Sequence, residues 1–190
     1  MKQKALVILG PTASGKSALA VELAKKLART KWGGFSGAEI VSADSRQVYK
    51  GLDIGTGKVT RREMKGVKHY LLDVANPKKR FTVVQFKFLA EKAIREILAR
   101  NKLPIVCGGT GFYIQALVDN IVTPDVPPNS PIRAKLLQKS PESLMKILRK
   151  LDPNRAANID QKNSRRIIRA IEIAKTLGKV PAITKQKNSF

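Results

Sequence analysis

Cysteine and histidine are almost missing from this chain, which holds one of each, Cys107 and His69. A lone cysteine excludes an internal disulfide framework and a cysteine-built zinc site. No histidine lies near it in sequence to activate a thiolate, so Cys107, at a strand end, reads as a small buried hydrophobe. His69 reads as structural rather than catalytic. Long apolar runs are absent too. Nothing approaches the roughly 18 residues of a membrane span. Ala5–Leu9 is too short for a secretory leader, and a glycine loop follows it where a cleavage site would sit. A reducing, cytoplasmic setting is expected. The third scarcity is acid: 14 Asp and Glu stand against 37 Lys and Arg, a net charge of +23. Such an excess points to a polyanionic partner, nucleic acid being the commonest; the alternative is an ordinary solvated basic surface. Residues 121–190 carry 15 basic against 5 acidic residues, whereas 1–120 carry 22 against 9. The denser positive charge of the shorter segment suits an appendage that grips RNA.

What is present divides the chain in two. KALVIL reads as a buried strand, and from Lys16 to about Arg29 the apolar residues Leu19, Ala20, Leu23, Ala24 and Leu27 keep helical spacing. AEIVSA (Ala38–Ala43) and HYLLDV (His69–Val74) read as further strands. A long amphipathic helix is expected from Thr82, its N-cap, to about Arg100. LPIVC (Leu103–Cys107) follows as a strand closed by GGTG and a short helix near Phe112–Val118. Strands alternating with helices predict an α/β fold: a P-loop NTPase-like parallel sheet flanked by helices, with a helical appendage. TKWGGFSG (Thr30–Gly37) reads as a flexible loop. At Asn120 the texture changes to a proline-rich hinge, NIVTPDVPPNSP, beyond which no strand pattern survives. Helices are expected over about 131–138, 141–151 and 163–177, then a polar tail. The sequence thus predicts a catalytic core over 1–119 and a basic helical region over 120–190.

Gly10-Pro11-Thr12-Ala13-Ser14-Gly15-Lys16-Ser17 fits G-x-x-x-x-G-K-[ST] at every fixed position, between a strand and a helix. Small residues let backbone N–H groups turn onto phosphate oxygens, and the helix N-terminus adds its positive end. Lys16 supplies a mobile charge, and the Ser17 hydroxyl is placed to ligate Mg2+. The motif is that of nucleotide- and ATP-binding loops, but alone it does not identify the ligand. Asp73 in YLLDV is a candidate for the second acidic metal ligand that a phosphotransferase needs, or equally a turn cap.

The stretch SADSRQVYKGLDIGTGK (Ser42–Lys58) leaves a strand on the sheet edge where ligands sit. Asp44, its first carboxylate, suits a general base acting on an incoming nucleophile, or else a cap for a short helix through Val48. Tyr49 and Tyr113 are read as packing residues that could stack on a base. Arg165, Arg166 and Arg169 crowd one helix whose other side is apolar, through Ile167, Ile168, Ile171 and Ala174.

GPTASGKS, EIVSADSRQVYKGLDIGTGK, HYLLDV, LPIVCGGTGFYIQAL and the weaker LDPNRAANID…NSRRIIRAIEI together resemble the tRNA dimethylallyltransferases, or tRNA isopentenyltransferases. The resemblance runs from about Leu6 to Leu117 and continues to Ile173. It implies that Gly10–Ser17 cradle the diphosphate of dimethylallyl diphosphate, with Mg2+ at Ser17. The acceptor would be the exocyclic amine of an adenosine beside a tRNA anticodon. Asp44 would be the general base, with Thr110 at the same centre and Lys16 stabilising the leaving diphosphate. Ser45, Arg46 and Gln47 would contact the extruded base or its neighbours. Arg133, Asn163, Ser164, Arg165, Arg166 and Ile167 would contact tRNA. A monomer is expected. Family members are usually longer, and the C-terminal part of the pattern is absent here. Two other readings stay open: a P-loop small-molecule kinase, from the same loop and Asp73, and, from the missing C-terminal part and the basic second segment, a truncated homologue that binds tRNA without modifying it.

Overall fold

In the computed structural model, residues 5–182 and 184–185 are described; Lys4, which opens KALVIL, and the polar tail after Lys185 lie outside them. Four strands, β1 (Leu6–Leu9), β2 (Ala38–Ser42), β3 (His69–Tyr70) and β4 (Leu103–Gly108), form one sheet in the order β1-β4-β2-β3. Every neighbouring pair is parallel, with Leu6 opposite Ile105 and Ile40 opposite both Ile105 and His69. Helix α1 (Lys16–Thr30) covers one face, where Ala20, Val21 and Ala24 meet Ile40, Ile105 and Cys107. The short α2 (Arg61–Met64) follows a capping box made by Thr60 and Glu63. On the other face α3 (Val83–Ala99) and α4 (Gly111–Val118) bring Phe86, Ile94, Tyr113 and Leu117 onto Val41 and Val106. Thr82 caps α3 in a capping box with Gln85, as the sequence predicts.

Three sequence expectations need correction. The β1 run is not buried: Leu6, Val7 and Leu9 are 36%, 38% and 57% exposed, because β1 is the outer strand and pairs with β4 alone among the described residues. HYLLDV yields a strand of only two residues. Leu71 and Asp73 adopt positive φ (63° and 56°), a left-handed backbone that ends the extended run. The loop TKWGGFSG is pinned rather than free. Trp32–Gly34 form a 3-10 turn, Asn101 donates to the Gly34 carbonyl at 3.0 Å and Ser36 donates its N–H to Asn101 at 2.8 Å.

The chain divides into two compact units at Val122/Thr123, three residues after the break read from sequence. A two-residue strand, β5 (Ile121–Val122), closes the first. The second, Thr123–Thr184, contains α5 (Ser130–Leu137), α6 (Pro141–Leu151), an unexpected α7 (Pro153–Ala157) and α8 (Ser164–Leu177). Side chains of Asn129, Ser140, Asp152 and Asn163 cap these four helices, each taking a backbone N–H of the first turn. Leu144, Leu148, Ile167 and Ile171 form the core of this unit. A further two-residue strand, β6 (Thr184–Lys185), makes the absence of strand beyond Asn120 incomplete. Among the described residues no helix is long and apolar enough to cross a membrane.

Candidate active site

Parallel pairing carries the C-terminal ends of β1, β2 and β4 to one edge of the sheet, and each is followed by a turn with chemistry in it. After β1 the loop Gly10–Gly15 enters α1. Ala13 (φ 62°) and Gly15 (φ 77°) are left-handed, the backbone alternation that builds an anion-binding concavity. Gly15 is the N-cap of α1 and has no side chain, so no side chain caps the first turn. Lys16 folds back, its Nζ donating to the Pro11 carbonyl and, at 3.3 Å, to Ser14 Oγ. A Cβ on Gly10 would sit 3.2 Å from that Ser14 oxygen and 3.5 Å from the Lys16 stem, so a side chain there would crowd the folded-back lysine. Ser17 lies exposed at the rim of a cavity of about 320 Å³ that also involves Val21, Gly57 and Val59. The residues fit a phosphate ligand: an uncapped helix start, a nest and a mobile cation.

After β2 the chain turns through Asp44–Val48. Asp44 Oδ1 accepts the N–H groups of Arg46 at 2.8 Å and Gln47 at 3.3 Å. The short helix through Val48 weighed from sequence does not form; Asp44 instead caps a turn, through one carboxylate oxygen. Gln47 Nε2 donates to the Gly57 carbonyl at 3.2 Å, while Arg46 is exposed.

After β4 comes GGTG. The strand order inserts this turn between the phosphate loop and the Asp44 turn, a placement that sequence could not give. A Cβ on Gly108 would collide with the Ala43 carbonyl, so glycine there lets the β4 and β2 turns converge; one on Gly109 would lie 3.4 Å from Gly10 O, an ordinary contact that places the phosphate loop beside it. Thr110 is the N-cap of α4 without capping it; its Oγ1 instead accepts the Ser45 N–H at 2.9 Å and donates to Ser45 Oγ at 3.2 Å. Tyr113, one turn on, is buried and stacked on Phe86 with centroids 4.2 Å apart. Burial pushes its hydroxyl up to about 12, with the Tyr49 and Asp44 charges acting in the same direction. Burial likewise raises the Cys107 thiol, against the opposing pull of Lys16. Burial lowers His69, whose Nδ1 lies 2.9 Å from Val67 O. Neither is arranged as a nucleophile or base.

The sequence reading missed Lys58, although it sits in the quoted stretch. Its side chain is only 6% exposed and donates to Asp53 at 2.7 Å, Asp73 at 2.5 Å and the Tyr49 carbonyl at 2.8 Å. Burial opposes its charge, but the Asp53 and Asp73 hydrogen bonds outweigh that and raise its pKa. Asp73 is therefore one arm of a clamp. Among the described residues no group of three or more His, Cys, Asp or Glu could hold a metal ion. The available signal was the spacing Asp53-x-x-x-x-Lys58 across the Gly55-Thr56 turn; its burial is a tertiary fact.

In the second unit, the expected RNA contacts separate. Arg165 and Arg166 are exposed, and Asn163 and Ser164 are half-buried at the start of α8. Ile167, expected to touch tRNA, is 0% exposed and belongs to the core. Arg133 forks onto Glu172, Nε and Nη2 each 2.7 Å from a carboxylate oxygen, because Glu172 is itself buried and needs a counter-charge. Arg169 donates to the Val126 carbonyl at 2.8 Å and lies 3.5 Å from the same carboxylate. Arg133 and Arg169 thus hold the unit together, leaving Arg165 and Arg166 as the outward pair.

A family model described as IPP transferase matches residues 47–190. The chain is 48% identical over 180 residues to the tRNA dimethylallyltransferase of Pediococcus pentosaceus, covering 93% of this chain and 55% of that protein. It is 43% identical over 179 residues to that of Anoxybacillus flavithermus, covering 94% and 55%. Among solved structures, it resembles the full-length tRNA isopentenylpyrophosphate transferase of Bacillus halodurans at 40% identity and a TM-score of 0.60, covering 94% of this chain and 57% of that one. A eukaryotic dimethylallyltransferase described as acting on tRNA matches at 28% identity and a TM-score of 0.73, over 97% and 46%. The chain therefore spans about half the length of the relatives it matches.

Proposed function

The chain belongs to the IPP transferase family, and from that premise we propose that the protein moves the dimethylallyl group of dimethylallyl diphosphate onto the exocyclic amine of an adenosine beside a tRNA anticodon. The observation that carries this reading is the convergence of the three turns: a phosphate nest, a carboxylate and a fixed Ser45–Thr110 hydroxyl pair on one sheet edge. The nest binds diphosphate, Lys16 swings from the Pro11 carbonyl onto it, and Ser17 offers its hydroxyl to Mg2+. Bound there, Mg2+ would neutralise charge on the diphosphate, and it needs few protein ligands because phosphate oxygens and water complete its shell. Lys58 engages Oδ1 of the half-exposed Asp73, and phosphoryl transfer, which would need a second acidic metal ligand, is separated from prenyl transfer by the competition experiment below.

In the reaction a C–N bond forms between the allylic carbon and the amine nitrogen while the C–O bond to diphosphate breaks. The amine proton passes to the Asp44 carboxylate. Asp44 Oδ1 already accepts two backbone N–H groups, so Oδ2 is the oxygen assigned to receive it. Thr110 and Ser45 position the base, which must leave its stack at a cost of a few kcal/mol, least in a loop. Arg165 and Arg166 meet tRNA phosphates. The protein is assigned to the cytoplasm as a monomer.

The test is direct. Incubated with dimethylallyl diphosphate, Mg2+ and unmodified tRNA, the protein should add one five-carbon unit to a single adenosine, read by mass. No mass gain with a chain of the relatives' full length would overturn the reading. ATP displacing dimethylallyl diphosphate, with phosphate transfer, would favour a kinase instead.

A further inference from the structure

A second concave site lies on the same sheet edge, on the far side of β3, and none of the chemistry above uses it. It is a cavity of about 350 Å³ between the segment after β3 and the first turns of α3. Val74, Phe81, Phe88 and Leu89 make its apolar wall, and Lys79 and Arg80 stand at its rim. Phe88 is 64% exposed, although Phe86, two residues earlier on the same helix, is 0% exposed. The helix therefore turns one aromatic into the core and leaves the next open to a ligand. Among the described residues no carboxylate pairs with Lys79 or Arg80, and the acid before them in sequence, Asp73, is held by Lys58.

The wall is fastened to the catalytic turn. Ala75, which also lines the cavity, donates its N–H to Val48 O at 2.9 Å and accepts the Lys50 N–H at 2.9 Å. The Phe81 N–H donates to Tyr49 Oη at 3.2 Å. The cavity thus begins one hydrogen-bonded bridge away from Asp44–Gln47. An open aromatic face, an apolar floor and two cations are what a nucleotide needs: the base stacks, and the neighbouring phosphates meet the rim. Of the two amides nearby the oxygens are already engaged, Gln85 Oε1 by the Thr82 N–H and Asn76 Oδ1 by the Lys78 N–H. Stacking, which every base can make, is therefore the main contact of the seat.

We propose that this cavity is a second RNA site, which seats an unpaired nucleotide adjacent to the reacting one by stacking it on Phe88 and holding its phosphates with Lys79 and Arg80. The proposal rests on the reading of the protein as acting on RNA and adds a contact to it. The probe is a hexauridylate carrying 4-thiouridine, with heparin as a polyanion that has no bases. Phe88→Ala should weaken hexauridylate binding by about fivefold to a hundredfold, the range of one lost stack, and leave heparin binding unchanged. Phe88→Trp should restore the affinity, and photo-cross-links should map to residues 81–89. The double variant Lys79→Ala/Arg80→Ala should weaken both probes and flatten the logarithmic salt dependence of hexauridylate binding by about 1.4, two phosphate contacts on a single strand. Phe88 is exposed, so its variants should melt with the parent. The proposal is overturned if Phe88→Ala binds hexauridylate like the parent, loses heparin to the same degree, or if the parent does not bind hexauridylate. Dimethylallyl transfer to tRNA is scored separately by mass. Transfer without a Phe88 effect sinks this site alone, and a Phe88 effect without transfer sinks the enzymatic reading alone.

Discussion

Asp44 and Lys16 sit on the same sheet edge with the GGTG turn between them, but they carry different burdens, and substitution should separate them. Asp44→Asn keeps an oxygen for the Arg46 and Gln47 N–H groups, so folding and diphosphate binding should persist. Turnover should fall by roughly a hundredfold or more, the usual scale for a lost general base. Lys16→Ala removes a direct charge partner and should weaken diphosphate binding as well as the chemistry. Single-turnover rates beside a diphosphate titration distinguish the two. Arg133 is the opposite case, a cation read from sequence as an RNA contact that the fold uses internally. Glu172 is buried with its carboxyl lowered: burial pushes it up, and the Arg133 and Asn129 hydrogen bonds more than reverse this. Arg133→Ala should remove both forked hydrogen bonds, leaving the carboxylate the Asn129 N–H and Arg169 at 3.5 Å, and cost about 3 kcal/mol, measured by urea unfolding. An unchanged midpoint with weakened tRNA binding would return Arg133 to the RNA surface.

At the scale of elements, the segment from Asp44 to Lys58 has a two-residue bridge and a 3-10 turn at Ile54–Thr56, but no long helix or strand to hold it. Lys58 does that work by joining Asp53, Asp73 and the Tyr49 carbonyl. Lys58→Met fills similar space without donors. It should accelerate amide exchange across residues 45–58 by about tenfold or more, the equivalent of roughly 1.4 kcal/mol. Exchange elsewhere in the sheet should be unaffected. Turnover should fall with the loosened Asp44 turn, and a variant with parental exchange would show the clamp to be incidental.

For the molecule as a whole, two features of the sheet bear on stability and solubility. Glu39 on β2 is buried among Arg100, Lys102 and Tyr70. Burial would push its carboxyl up, but hydrogen bonds from Lys102, Tyr70 and Arg100 outweigh it and set it at about 2 against an ordinary 4.5. A carboxyl lowered on folding stabilises above its unfolded value and loses that contribution as the pH falls from 4.5 through about 2. Thermal melts should drop across that window, and Lys102→Met should move the drop to higher pH. The second feature is β1, an outer strand with exposed Val7 and Leu9. An open apolar edge invites association. Leu9→Lys should raise the concentration at which the 190-residue chain stays monodisperse by light scattering.

Wherever a local rule fixes the outcome, the residues alone determined it. Thr82 and Gln85 start α3, the apolar spacing of α8 selects its buried face, and the glycine loop falls between β1 and α1 as its motif predicts. In α1 the spacing succeeds only in part, with Ala20 and Ala24 buried but Leu19 48% exposed. The tertiary structure decided what depends on pairing and burial. Sequence could not say that β4 would lie between β1 and β2, placing Thr110 against Ser45, because strand order is set by long-range packing. It could not say that β1 would be exposed, since an apolar run reads alike at the centre and the rim of a sheet. Nor could it tell Arg133 from Arg165. The two are chemically identical, and only the position of a buried Glu172 makes one a structural counter-ion and leaves the other facing solvent.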